Sequence, residues 1–371
     1  MRTRANPKTR MTAALHLLVI RRRYLGDIVL LGSFLRNLRL RWPDARLTVL
    51  TEPAYAAVLA LNPDVSAALT LPRRAAELLA FLRQLRSARF THVFDLDNSQ
   101  KTALLTRFTG APVRHGFHLE NVRRHFSRLY THTTFVSSIA YSAQPITETY
   151  LSMLTTARVP ITTREIRLVP RPADLAAIAP LLGPQSKIEL PSAATVQNRK
   201  SKIQKILLHP GSRSPYRVWP SENFATVCDR LQDELNVQIF LVGGPTERPL
   251  LAAIRAAAKS HLVLLDRPLP IGQFAALAAQ FDLFLCHDSG PMHVAAAVGT
   301  PVVALVGAQN TTVWGPVGPH HTVLQAAQPC AAACVAPAEC APGDSYKNFC
   351  VRRLTATEVF DAVRAALAAQ P

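Results

Sequence analysis

Long apolar runs are absent from this sequence: no stretch approaches the roughly 20 residues that cross a bilayer, so a soluble, cytoplasmic protein is expected. A secretory signal is lacking too. The basic start and the run Met11 to Ile20 imitate one, but Arg21, Arg22 and Arg23 stand where a small-residue cleavage site is required, and Leu15 to Ile20 reads as a buried strand. There is no Gly-x-Gly-x-x-Gly dinucleotide signature and no Gly-x-x-x-x-Gly-Lys-Ser/Thr loop, which counts against dehydrogenase and NTPase chemistry. Zinc-finger spacing, an aromatic RNA-binding motif and a recognition helix in a basic segment are missing as well, so nucleic acid is not an expected partner. Acidic residues are few, 24 against 42 Lys and Arg, and the formal charge of +18 calls for something anionic, an acidic membrane surface or a phosphorylated substrate.

What is present is size and alternation. A chain of 371 residues, 49% hydrophobic, can bury two cores. Strands are expected at 15–20, 45–51, 69–72 and 92–96, with helical spacing over 27–42 and another helix between the last two strands. From 170 to 205 the pattern gives way to a short helix and a surface linker rich in Pro, Ala, Ser, Gln and Lys. Alternation restarts at 205–212 and continues through 237–244, 262–266, 281–288 and 301–307. No internal repeat shorter than a domain occurs. The fold class is α/β: two Rossmann-like, doubly wound parallel-sheet domains facing a central cleft. Their boundaries are set at 1–175 for the N-terminal domain, 176–204 for the linker and 205–352 for the C-terminal domain. A last helix follows at 353–371, where Thr355 and Glu358 have capping-box spacing.

The chemistry-bearing residues fall at strand ends. Asp288, Ser289 and Gly290 stand between a strand and a small-residue helix, where unpaired N–H groups and the helix dipole make a phosphate seat; the same residues also suit a plain helix cap. In "LLHPGSRSPYRVWP", Gly211 and Ser212 offer donors while Arg213 and Arg217 can neutralise a diphosphate, or stand solvated in a loop. Glu247, after paired glycines, can accept ribose hydroxyls or serve the first turn of a helix. Asp27, in a Gly-Asp between the first strand and helix, can take a proton from a substrate hydroxyl or cap the helix.

Five segments, "LLVIRRRYLGDIVLLGSFLRNLRLRWPDARLTVLT", "HVFDLDNSQKTALLTRFTGAPVRHGF", "LLHPGSRSPYRVWP", "LVGGPTERPL" and "DSGPMHVAAAVGTPVVALVGAQNTTVWGPVG", occur in the order seen in glycosyltransferase family nine, and the sequence resembles that family from about residue 15 onward. These are the ADP-heptose:lipopolysaccharide heptosyltransferases. The resemblance implies a GT-B arrangement with the acceptor on the N-terminal domain and the sugar nucleotide on the C-terminal one. It implies Asp27 as general base of an inverting transfer to the lipopolysaccharide inner core. Arg217 with Ser212 would hold the diphosphate, and Asp288, Ser289 and Gly290 would contact phosphate and sugar. Glu247, or Thr246 after a one-residue shift, would take the ribose; His293 would touch the ligand or serve structure. Asn98 and Lys101 are the acceptor-side candidates in "DLDNSQKT". No cofactor is expected for catalysis. Transfer of another sugar, or epimerisation of a nucleotide sugar without any acceptor, stands as the alternative.

Cys330, Cys334, Cys340 and Cys350 cluster near the C-terminus, a candidate four-thiolate zinc or iron site, with free thiols or a disulfide as the other readings. Cys228 and Cys286 read as core residues. Arg21 to Arg23 and the basic segment 121–128 are expected to aid docking on the cytoplasmic face of an anionic inner membrane.

Overall fold

The computed structural model describes residues 15–120, 126–182, 203–213, 217–265, 267–326 and 349–369. Strands β1 (His16–Ile20), β2 (Arg46–Thr51), β3 (Ala67–Thr70), β4 (His92–Asp95), β5 (Val113–Leu119) and β6 (His132–Val136) form one sheet, in the order β3-β2-β1-β4-β5-β6. A second sheet contains β7 (Lys205–His209), β8 (Gln238–Val242), β9 (Val263–Leu265), β10 (Leu283–His287), β11 (Val302–Val306) and β12 (His321–Gln325), in the order β12-β11-β10-β7-β8-β9. Every pairing is parallel, with Leu17 opposite Leu47 and His92 in the first sheet and Leu285 opposite Leu208 and Val303 in the second. Both sheets therefore have the same doubly wound topology, and the expected α/β architecture is observed.

Helices cover the sheets: α1 (Leu25–Leu30), α2 (Gly32–Arg41), α3 (Ala56–Leu59), α4 (Leu78–Ser87), α5 (Gln100–Phe108), α6 (Ser138–Ala143) and α7 (Ile146–Thr156) in the first half. The second half supplies α8 (Pro172–Ile178), α9 (Ser221–Leu235), α10 (Arg248–Ala257), α11 (Ile271–Ala278), α12 (Gly290–Ala297), α13 (Thr311–Trp314) and α14 (Ala356–Ala368). Strands covered on both faces must be apolar throughout, and Leu18 to Ile20 and the whole of β10 are buried accordingly. The expected capping box opens α14: the Thr355 hydroxyl accepts from the Glu358 N–H at 3.2 Å, and the Glu358 carboxylate accepts from the Thr355 N–H at 2.7 Å. Among the described residues no helix is long and apolar enough to cross a membrane.

The two sheets are joined by more than a tether. One buried apolar cluster includes Ile28 and Leu59 from the first half and Met292, Val294 and Phe284 from the second. The chain crosses between halves over 159–171. Asn37, 1% exposed on α2, holds the crossing with three bonds, its amide donating to the Thr163 carbonyl and its oxygen accepting from the Thr162 and Thr163 N–H groups, while a fourth runs from its amide to the Ser33 carbonyl of its own helix. Further on, the Leu168 N–H donates to the Ala297 carbonyl at the end of α12, and α8 packs on α11 of the second sheet. The boundary drawn at 175 thus falls inside α8, and most of the expected linker, 183–202, lies outside the described residues.

Cutting the Asn37 side chain leaves these backbone groups to find other partners. Asn37→Ala should lower the unfolding free energy by about 1–3 kcal/mol, read from urea denaturation; an unchanged midpoint would mean that water replaces the amide at no cost.

Candidate active site

A doubly wound sheet opens a crevice where the strand order reverses, at the carboxyl ends of its first and fourth strands. Here these are β1 and β4 in one sheet and β7 and β10 in the other, and the turns and helix starts that follow them hold the candidate residues, except Glu247, which follows β8. After β1 the chain runs through Arg21, Arg22, Arg23 and Tyr24 into α1. The Tyr24 N–H donates to Oδ2 of Asp27 at 2.7 Å, the Arg21 guanidinium pairs with Oδ1, and the Tyr150 hydroxyl on α7 donates to Oδ1 at 3.3 Å. Asp27 thus caps its own helix and also lines the cleft. Burial works against the Arg21 charge, but Tyr150, Asp27 and Asp97 outweigh it and hold the guanidinium above its ordinary pKa. Burial pushes the Tyr150 phenol up against the pull of Arg21, which keeps it a donor.

The turn after β4 is organised by Asp95, wholly buried, which accepts from the Tyr130 hydroxyl at 2.7 Å and from the Asp97 and Asn98 N–H groups. Burial raises its pKa to about 6 in spite of those bonds. The turn carries Asp97 to Arg22, 2.7 Å away, and brings Asp97 and Ser99 to the cleft.

On the facing wall, Trp219 is fully buried, its backbone N–H donating to Nε2 of His287 and its indole to the Leu354 carbonyl, both at 2.9 Å. Two residues earlier, Arg217 reaches Asp288 at 3.2 Å and Gln309 at 3.3 Å. Burial pushes the Asp288 carboxyl up, opposed by Arg217 and Arg213. Ser289 is the residue before the first turn of α12, yet its hydroxyl makes no capping bond and is buried without a partner among the described residues. Glu247 accepts from the Gly244 N–H at 2.8 Å and lies 2.9 Å from the Thr246 hydroxyl.

The walls meet where α1 and α12 begin. A β carbon on Gly26 would come within 2.6 Å of Cδ2 of His293, and one on Gly290 within 2.9 Å of Leu25, so each helix start presents a glycine to the other. Above this contact the Arg213 guanidinium sits 4.0 Å from the centre of the Tyr24 ring, a cation–π pair between the halves. Two adjoining recesses result. One, of about 340 Å³, is lined by Tyr55, Ser212 and Glu247; the other, of about 640 Å³, by Asp27, Asp97, Tyr141 and His293; Tyr24, Arg213, Arg217, Asp288, Ser289 and Gly290 border both.

Eight expected residues, Asp27, Ser212, Arg217, Glu247, Asp288, Ser289, Gly290 and His293, therefore line one cleft. Asn98, at φ 50°, lines a separate small pocket with Phe117 and Tyr130, and Lys101 is exposed on α5. Arg21 and Arg22, expected on a docking surface, are engaged by Asp27 and Asp97 inside the cleft, each 18% exposed. Residues 121–125 of the second basic segment lie outside the described residues, as do Cys330, Cys334 and Cys340; Cys350 is buried. Among the described residues no group of three or more His, Cys, Asp or Glu could hold a metal ion. Cys228 and Cys286 are core residues whose thiols burial pushes up. Sequence reading missed Tyr24, Tyr141, Tyr150 and Gln309, none of which carries a local signal.

A family model described as glycosyltransferase family 9 (heptosyltransferase) matches residues 78–341. Lipopolysaccharide heptosyltransferase 2 of Escherichia coli is 26% identical over 323 residues, covering 83% of this chain and 87% of that protein. Among solved structures, a family 9 glycosyltransferase of Veillonella parvula superposes with a TM-score of 0.77 at 20% identity, over 95% of this chain and 97% of that one. Escherichia coli heptosyltransferase WaaC with ADP gives 0.71 at 18% identity, over 95% and 100%.

Two outcomes follow from the geometry. Gly26→Val should cost about 1–3 kcal/mol through overpacking on His293 and speed hydrogen exchange in the first turns of α1 and α12; unchanged exchange there would show that the contact yields freely. The His293 pKa is lowered to about 4 by burial, against the pull of Asp27. Below the unfolded value near 6.5 the unfolded chain takes up a proton that the folded one refuses, so stability is lost as pH falls from about 6.5 toward 4. His293→Gln should reduce the difference in unfolding free energy between pH 7.5 and pH 5 in urea titrations, whereas an equal difference in the variant would assign the acid sensitivity elsewhere.

Proposed function

Because the chain belongs to glycosyltransferase family 9, and is thus a glycosyltransferase, we propose that it moves a heptose from ADP-heptose to the inner core of lipopolysaccharide with inversion, Asp27 acting as general base. The heptose and the lipopolysaccharide acceptor are supported by the names of its relatives, and the ADP moiety by the WaaC complex. The base assignment is carried by the donors around Asp27. An ionised carboxylate has about four acceptor sites and no proton to give; three are taken by Tyr24, Arg21 and Tyr150, which fix the group and leave one site for an acceptor hydroxyl in the cleft.

In the proposed step that hydroxyl passes its proton to Asp27 as its oxygen bonds to the anomeric carbon. The bond from that carbon to the phosphate oxygen breaks, and its electron pair leaves on ADP. Base and leaving group are drawn from facing walls, as a single displacement with inversion requires. Arg217, Arg213 and the start of α12 stabilise the growing phosphate charge, and Ser289 offers a hydroxyl with no competing partner among the described residues. With two guanidiniums and a helix start in that role, the step does not call for a divalent metal. Glu247, in the smaller recess, receives the ribose hydroxyls, and the acceptor lies against Asp97 and Ser99.

Asp27→Asn should slow turnover about 10²- to 10⁴-fold while nucleotide binding persists; near-normal turnover would remove the base assignment. Arg217→Ala should cost about 10²- to 10³-fold, and Ser289→Ala less. Mass spectrometry of products from ADP-, GDP- and UDP-sugars with truncated lipopolysaccharide acceptors tests the substrates. Transfer from another donor but not from ADP-heptose would overturn the donor, and conversion of donor without acceptor would indicate an epimerase.

A further inference from the structure

Helices α4 and α5 turn Phe81, Leu85 and Leu105 toward the first sheet, yet they also present large apolar side chains outward: Leu78, Leu79, Leu104 and Phe108 are 45, 57, 54 and 43% exposed. The helices meet where the Arg86 guanidinium of α4 donates to the Phe108 carbonyl at the end of α5, 3.4 Å away. Over residues 72–89 and 100–112 there are seven Lys and Arg and one carboxylate, Glu77. That carboxylate is turned back onto the Arg74 N–H at 3.5 Å. Arg83, Lys101 and Arg107 remain exposed among the leucines.

Aliphatic side chains interleaved with long cations form the face of an interfacial helix, the apolar groups entering the headgroup boundary while the cations meet lipid phosphates. A nucleic-acid partner accounts for the charge but not for four exposed aliphatic and aromatic groups. A protein partner would need a complementary ridge, whereas these groups stand on the outer faces of two helices, a shape suited to a yielding surface. Ser99 caps α5 and lines the cleft, so the face begins at the cleft rim. We infer that the outer face of α4 and α5 docks on an anionic phospholipid bilayer. Its purpose rests on the lipid-linked acceptor proposed above; its physics does not.

Co-sedimentation with phosphatidylcholine vesicles, with and without phosphatidylglycerol, tests the surface on the full chain. The protein should bind the acidic vesicles in preference, less so at high salt. Leu79→Ser with Leu104→Ser, and separately Arg83→Ala with Arg107→Ala, should each reduce that binding roughly tenfold. Ile139→Ser with Arg255→Ala, exposed positions elsewhere, should bind as the parent does. Circular dichroism should be unchanged throughout, as should turnover on a water-soluble truncated acceptor. Equal binding to neutral vesicles, no binding, retention on RNA alone, or paired variants that bind like the parent would overturn the proposal. Intact acidic-vesicle binding without heptosyl transfer would support the surface and overturn the substrate reading instead.

Discussion

Two helix starts, α1 from the first sheet and α12 from the second, press together with a glycine on each side, and the cleft takes its dimensions from that contact. A helix start carries the positive end of a dipole, so two of them facing each other would repel unless neutralised. Asp27 supplies a negative charge to α1 from within. Among the described residues the start of α12 has no such capping side chain, and the buried Ser289 hydroxyl beside it has no partner. The asymmetry leaves one helix start capped and the other uncapped among the described residues. The Asp27 carboxylate and Ser289 line the same recess, across the contacts of Gly26 with His293 and of Gly290 with Leu25.

The surplus of arginine divides into groups with different work. Arg21 and Arg22 are paired in the cleft and fix carboxylates on the N-terminal wall. Arg213 and Arg217 stand on the other wall, one stacked on Tyr24 and the other bonded to Asp288 and Gln309. A third set lies on α4 and α5 among exposed leucines. A net charge read from composition cannot separate these groups, because pairing and burial decide which cations remain available.

The inner strands were legible because each is covered on both faces and so is almost continuously apolar. β5, β6 and β12 were not: "VRHGFHL", "HTTFV" and "HTVLQ" are partly exposed toward the sheet margins and carry His, Thr and Gln where an apolar run would be the signal. The helical pattern over 27–42 was sound but hid a break at Leu31, between α1 and α2. Asp288, Ser289 and Arg217 carry their signal in local sequence, at strand-end turns, and all three line the cleft. The Asp27 environment could not be read that way, since Tyr150 lies 123 residues away and only the packing of α7 brings it near. The turn after β4 carries Asp97 and Ser99 to the cleft and places Asn98 in a separate small pocket, a division set by backbone geometry and not by residue type.

Helix α12 is gripped at both ends from outside its own sheet: by Leu25 and Gly26 of the first half at its start, and by the crossing segment at its finish, where the Leu168 N–H donates to the Ala297 carbonyl. Helix α12 is thus mounted in the framework of the opposite sheet. A chimera joined at the linker to a relative's C-terminal half would inherit a mismatched mounting. A productive exchange has to carry the first turn of α1 and the crossing segment along with the C-terminal half, so the unit of recombination in this architecture is larger than the domain.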